Sequence, residues 1–174
     1  MNKNFNAGKS TNLAAGIINI LTGTTAIVYS LFLLFATVIL GSLLGAAGDA
    51  GGAGAEAATD AAAGALGLIM LIPLVIYIGI GITLICFGAS NCKSFKLNES
   101  QTVERKGKLL GFIITEAILL VGMILVMIFL LPGIVSISLV VAMGITFILR
   151  LVAYILLRKV QPVKEADIEK QIQE

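Results

Sequence analysis

Glu116 and Arg150 are the only carboxylic acid and the only strong base inside the long apolar runs of this sequence. On insertion scales, a lone Arg or Asp at the centre of a membrane helix costs ~2.5–3.5 kcal/mol. Ionisable residues in such places pair with one another or mark ion and proton pathways. The spacing favours pairing. Glu116 lies seventeen residues before Gly133, and Arg150 lies seventeen after it. Glu116 is eight residues past Lys108, and Arg150 is eight before Arg158. A tight antiparallel hairpin turning at Gly133 therefore sets both at one depth, about 12 Å in from the basic boundary. The face of Arg150 carries Ser136, Met143, Thr146, Ala153 and Tyr154, and that of Glu116 carries Phe112, Leu119, Met123 and Met127. An ion pair here is a structural clip that fixes hairpin register. Two other chemistries compete with it. Glu116 could exchange a proton as a substrate crosses, although a carboxylate held by an arginine keeps its charge and suits that task poorly. Arg150 could instead snorkel alone toward the interface.

Other chemistry is scarce. The chain has no His and two Cys. That removes Ser-His-Asp and Cys-His nucleophiles, His-ligated haem and most zinc sites. Cys86 and Cys92 are six apart, on different helical faces and about 9 Å apart along the axis, so they read as free thiols. Cys92, beside the membrane, is a weak candidate for acylation. Gly8-Lys9-Ser10-Thr11 resembles the end of a phosphate-binding loop, but it lacks the upstream Gly and the preceding strand. It reads instead as a polar start in which Ser10, Thr11 or Asn12 caps the first helix. No catalytic residues, metal site or cofactor are expected, and the chain does not read as an enzyme.

The elements that must hold the pair are apolar runs. Of the 174 residues, 58% are apolar and 13% are charged, against about 45–50% and about 25% in soluble domains. This composition excludes a disordered chain, a nucleic-acid binder and a disulfide-stapled secreted module. Four runs, 13–44, 66–90, 109–131 and 134–157, each reach the roughly 20 residues of a membrane span. Lipid offers backbone groups no water, so each run is predicted to be helical. The fold expected is all-α: an integral membrane four-helix bundle of up-down-up-down topology in a single membrane domain. The first run would be about 48 Å long, which exceeds a bilayer core and implies tilt or projection. It is also longer than the h-region of a cleaved signal, about 7–15 residues, so it reads as a retained span.

Five segments flank or join the runs. Residues 1–12 form a polar N-tail. Residues 45–65 are almost all Ala and Gly and read as a flexible external loop, although Glu56 to Ala65 has the propensity to extend the second span. Residues 91–108 form a linker made basic by Lys93, Lys96, Arg105, Lys106 and Lys108. Residues 132–133 form a tight Pro-Gly turn. The C-tail, 158–174, contains a stretch from Glu165 to Gln173 able to form a short polar helix. In the second span, Pro73 is expected in the first turns, or at a kink if the helix starts earlier.

Small and amide residues mark the packing faces. Asn12, Gly16, Asn19, Gly23, Ala26 and Ser30 recur at spacings of three and four, so they line one helical face. Gly81 and Gly88, seven apart, share another, and Gly79 offers a further contact point. Small residues let membrane helices approach closely, and Asn can hydrogen-bond across the contact. The reading is a packing seam; a polar permeation path is the alternative.

Loop charge sets the orientation. The N-tail, the basic linker and the C-tail carry +2, +3 and 0, whereas residues 45–65 hold Asp49, Glu56 and Asp60 and no base. The positive-inside rule then places both termini in the cytoplasm, N-in and C-in. The expected role is structural, scaffolding or regulatory, through helix–helix and lipid packing in the plasma membrane. The partners expected are the lipid bilayer and a second copy or another membrane protein, with no nucleic acid. A small transporter or channel using Glu116 is the alternative. Asn98-Glu99-Ser100 matches the glycosylation sequon. Translated into microsomes, Asn98 stays unmodified if the linker is cytoplasmic, and a glycan there overturns the orientation.

Overall fold

A computed structural model of the chain describes residues 3–51, 53–97, 101, 106–129 and 133–159. It has four helices: α1 (Lys3–Gly51), α2 (Ala53–Ser94), α3 (Lys106–Phe129) and α4 (Ile134–Arg158). No strand occurs among the described residues. All four are long and apolar enough to cross a membrane. Their outward faces carry exposed Leu, Ile, Val and Phe, while Glu116, Thr146 and Arg150 are among the polar side chains buried inside the bundle.

The core joins all four helices through Ala26 of α1, Tyr77 and Leu84 of α2, Met123 of α3 and Leu139 and Met143 of α4. α1 and α2 run antiparallel. Gly16 of α1 faces Gly88 of α2, and Gly23 faces Gly81, so as one number rises the other falls. A Cβ placed on Gly88 would meet the Gly16 carbonyl oxygen at 2.5 Å, and one on Gly23 would meet the Gly81 oxygen at 2.5 Å. The backbones touch where no side chain fits, which is how small residues hold apolar helices together. Asn12, Gly16, Asn19, Gly23, Ala26 and Ser30 are all buried on this side of α1. Gly79 is exposed and has open space around it, so it takes no part in the seam.

Three expectations change. Residues 45–65 are not an irregular loop, because α1 runs through to Gly51 and α2 begins at Ala53. Eleven Ala against six Gly occupy that segment, and the propensity of Ala outweighs the freedom of Gly. Pro73 lies well inside α2 rather than in its first turns. It is buried, and its missing N–H removes the bond to the carbonyl of Ile69. Finally, α1 starts at Lys3 rather than near Leu13, so Ser10, Thr11 and Asn12 do not cap it. Thr11 donates its hydroxyl to the Ala7 carbonyl instead. This early start is fixed by packing: Phe5 is buried with Leu109 and Leu157, and Gly8 lies against Leu157 and the Ala153 carbonyl of α4.

At the hairpin, extended Gly133 precedes α4, and its carbonyl accepts the Ile137 amide at 3.0 Å. Pro132, the Asn98 sequon and residues 160–174 lie outside the described residues. Cys86 and Cys92 are free thiols. Over their length, α3 and α4 match a bilayer, at 24 and 25 residues or about 36 Å. The longer pair projects past the α3–α4 turn and carries exposed Phe32, Phe35, Val38 and Ile39 there.

The seam makes a sharp prediction. Gly88→Val forces two backbones apart and destabilises the protein by about 1–3 kcal/mol in detergent unfolding. Gly79→Val, on the open face, changes stability far less. Equal losses at the two positions would refute the seam.

Candidate functional site

Glu116 sits on α3 and Arg150 on α4, each facing the bundle interior. Arg150 Nη1 lies 2.7 Å from Glu116 Oε2, and both side chains are fully buried. The approach is that of an ion pair, although its N–H direction falls outside hydrogen-bond alignment. Glu116 Oε1 accepts a hydrogen bond from the Thr146 hydroxyl at 2.7 Å. Thr146 is one turn from Arg150 on the same face, so α4 supplies both partners of the carboxylate. The Thr146 oxygen also lies 2.9 Å from the Met143 carbonyl; its one proton serves one acceptor at a time.

Aromatic rings complete the enclosure. The guanidinium carbon of Arg150 is 5.6 Å from the Phe87 ring centre and 5.9 Å from that of Phe112. Those rings, from α2 and α3, are 4.8 Å apart. Both distances fall within reach of a cation–π attraction, which strengthens when water is excluded. Arg150 Nε and Nη2 have no hydrogen-bond partner. The charge is thus met by one carboxylate and two ring faces.

Further polar groups continue along the interior. Asn19 is fully buried, and neither atom of its amide has a hydrogen-bond partner. Gly8 touches Leu157, and Asn19 is as far along α1 from Gly8 as Thr146 is back along α4 from Leu157, so equal rise sets the two at one level. Toward the α3–α4 turn, the Tyr77 and Ser136 hydroxyls lie 2.7 Å apart, and the Tyr77 ring meets the Tyr29 ring edge-on at 5.3 Å. Toward the basic end, Asn12 Nδ2 donates to Ser94 Oγ at 2.9 Å. Between these clusters the interior is closed by Ala26, Ile80, Leu84, Met123 and Met143.

The structure therefore joins Glu116 to Arg150, and joins Gly16, Gly23, Gly81 and Gly88 in one contact. Asn19, Ala26 and Ser30 are buried on the same side of α1. The basic linker stays apart from the pair: Lys93, Lys96 and Lys108 are exposed. Arg105 and the Lys106 side chain lie outside the described residues. Thr146 and Phe112 stand on the faces that the sequence assigns to Arg150 and Glu116, each four residues from its charged neighbour, although their contacts with the pair were not read from it. Phe87 escaped the reading of the sequence, because its place depends on how α2 meets the α3–α4 hairpin. No cluster of three metal-ligating side chains occurs among the described residues. No protein-family model, curated protein or solved structure matches the chain.

Proposed function

We propose that the chain is an integral membrane protein that acts without catalysis, by lateral packing against lipid and against other membrane helices. Its four helices cross the bilayer of the plasma membrane, with both termini cytoplasmic and the acidic 45–65 segment outside. The observation that carries this reading is the closure of Glu116. Its carboxylate is fully buried, paired with Arg150 and bonded to Thr146, and two aromatic rings flank the arginine. A carboxylate that exchanges protons with either side needs a route to water, and this one is walled by side chains of its own bundle. The outer surface supports the same reading. Beyond the level of the α3–α4 turn, α1 exposes Phe32, Phe35, Val38 and Ile39, an apolar surface suited to a second copy or another membrane protein.

A second reading, transport, draws on Asn19, whose unpartnered amide stands at the level of Thr146. Proteoliposomes separate the two. Under the packing reading, a pH gradient drives no more proton flux through the protein than through protein-free liposomes, and Glu116→Gln leaves that flux unchanged. A flux present in the natural sequence and abolished by Glu116→Gln would replace this reading with transport.

A further inference from the structure

At the basic end of the bundle, a small cleft opens among the helices. It is lined by Lys9 and Asn12 of α1, Asn91 and Ser94 of α2, and Lys108 at the start of α3. Leu109, Phe112 and Leu157 form its apolar wall. Its volume is about 50 Å³, room for a few waters or for one compact polar group.

The chemistry of the lining is one-sided. Two lysines face the cleft, and no acidic residue lines it among the described residues. Lys9 is held in place: its Nζ donates to the Leu97 carbonyl at 2.8 Å and lies 5.1 Å and 5.2 Å from the ring centres of Phe5 and Phe95. An ammonium has three donors, so two remain for a ligand. Lys108 forms no hydrogen bond or ion pair among the described residues. Asn91 is only 2% exposed, yet its Nδ2 has no hydrogen-bond partner. Asn12 is 6% exposed, and its Oδ1 has none either. A buried polar atom without a partner is costly, and here two such atoms, Asn91 Nδ2 and Asn12 Oδ1, flank one cleft. The lining thus offers two cations, a buried neutral donor and a buried acceptor. Cations and donor suit a phosphate, and the acceptor suits a hydroxyl beside it.

We propose that this cleft binds a polyol phosphate ester, with Lys9, Lys108 and Asn91 on the phosphate oxygens and Asn12 accepting from a neighbouring hydroxyl. The apolar wall and the position at the ends of the four helices identify the source as the headgroup of an anionic phospholipid such as phosphatidylglycerol. That assignment rests on the membrane reading above, whereas the phosphate chemistry does not.

Native mass spectrometry of the full chain in non-ionic detergent tests the proposal, after insertion into phosphatidylcholine nanodiscs has been verified. Phosphatidylglycerol is expected to be retained in preference to phosphatidylcholine. Lys108→Gln, a change at an exposed side chain, lowers that retention about fivefold, the order expected per basic residue at an anionic lipid. Asn91→Leu lowers it as well. Lys93→Gln with Lys96→Gln, at two lysines that do not line the cleft, leaves it within about twofold. Equal losses from the two lysine sets, or no preference for phosphatidylglycerol, would overturn the site. Competition by millimolar glycerol 3-phosphate would retain the phosphate chemistry and overturn the lipid source. Failure to enter nanodiscs would overturn the membrane reading instead.

Discussion

A charged pair in a low-dielectric interior has only one tolerable arrangement, and the rest of this bundle is built around it. Neither Glu116 nor Arg150 can be left alone there, because removing one partner of a buried pair costs about 3–5 kcal/mol. Contact demands that α3 and α4 meet in one register. A shift by one residue would turn a side chain through about 100° and break the pair. The pair therefore sets the hairpin, and the hairpin sets the surface on which α1 and α2 pack. Thr146 and the rings of Phe87 and Phe112 complete the enclosure, so the charge specifies three helices at once. Buried ions are weak sources of net stability; their value here is register.

The second constraint is close approach. Between α1 and α2, facing glycines bring backbones together where any side chain would collide. In the bilayer proposed for these helices there is no hydrophobic drive between them, so van der Waals contact and interhelical hydrogen bonds must supply the association. The seam supplies the first, and Asn12 with Ser94 supplies one instance of the second. The two constraints divide the molecule. The ion pair fixes α3 on α4, the seam fixes α1 on α2, and α1 joins the pairs through Gly8 and Phe5 against Leu157.

Much of this was legible because it was periodic. Equal distances from Gly133 set Glu116 at the depth of Arg150 without any knowledge of the fold. Spacings of three and four exposed the seam on α1, and the seven-residue step from Gly81 to Gly88 exposed its counterpart. What stayed hidden was of three kinds. Phe87 and the Tyr77–Ser136 contact depend on the relative rotation of helices far apart in sequence, which no local pattern encodes. The helical 45–65 segment was misread because its glycines suggested freedom, although alanines outnumber them. The extra turns of α1 before Leu13 follow from tertiary burial of Phe5 and Gly8, in a stretch whose composition is polar.

Glu116 and Arg150 stabilise the bundle through each other. A double-mutant cycle on Glu116→Gln and Arg150→Gln, read as unfolding free energy in bicelles, tests it directly. Polar couplings between membrane helices average ~0.6 kcal/mol and reach ~1.7 kcal/mol. The enclosed pair is expected to give a coupling at or above the upper value. A coupling near zero would mean that the two charges ignore each other, and the account of the register would fall with it.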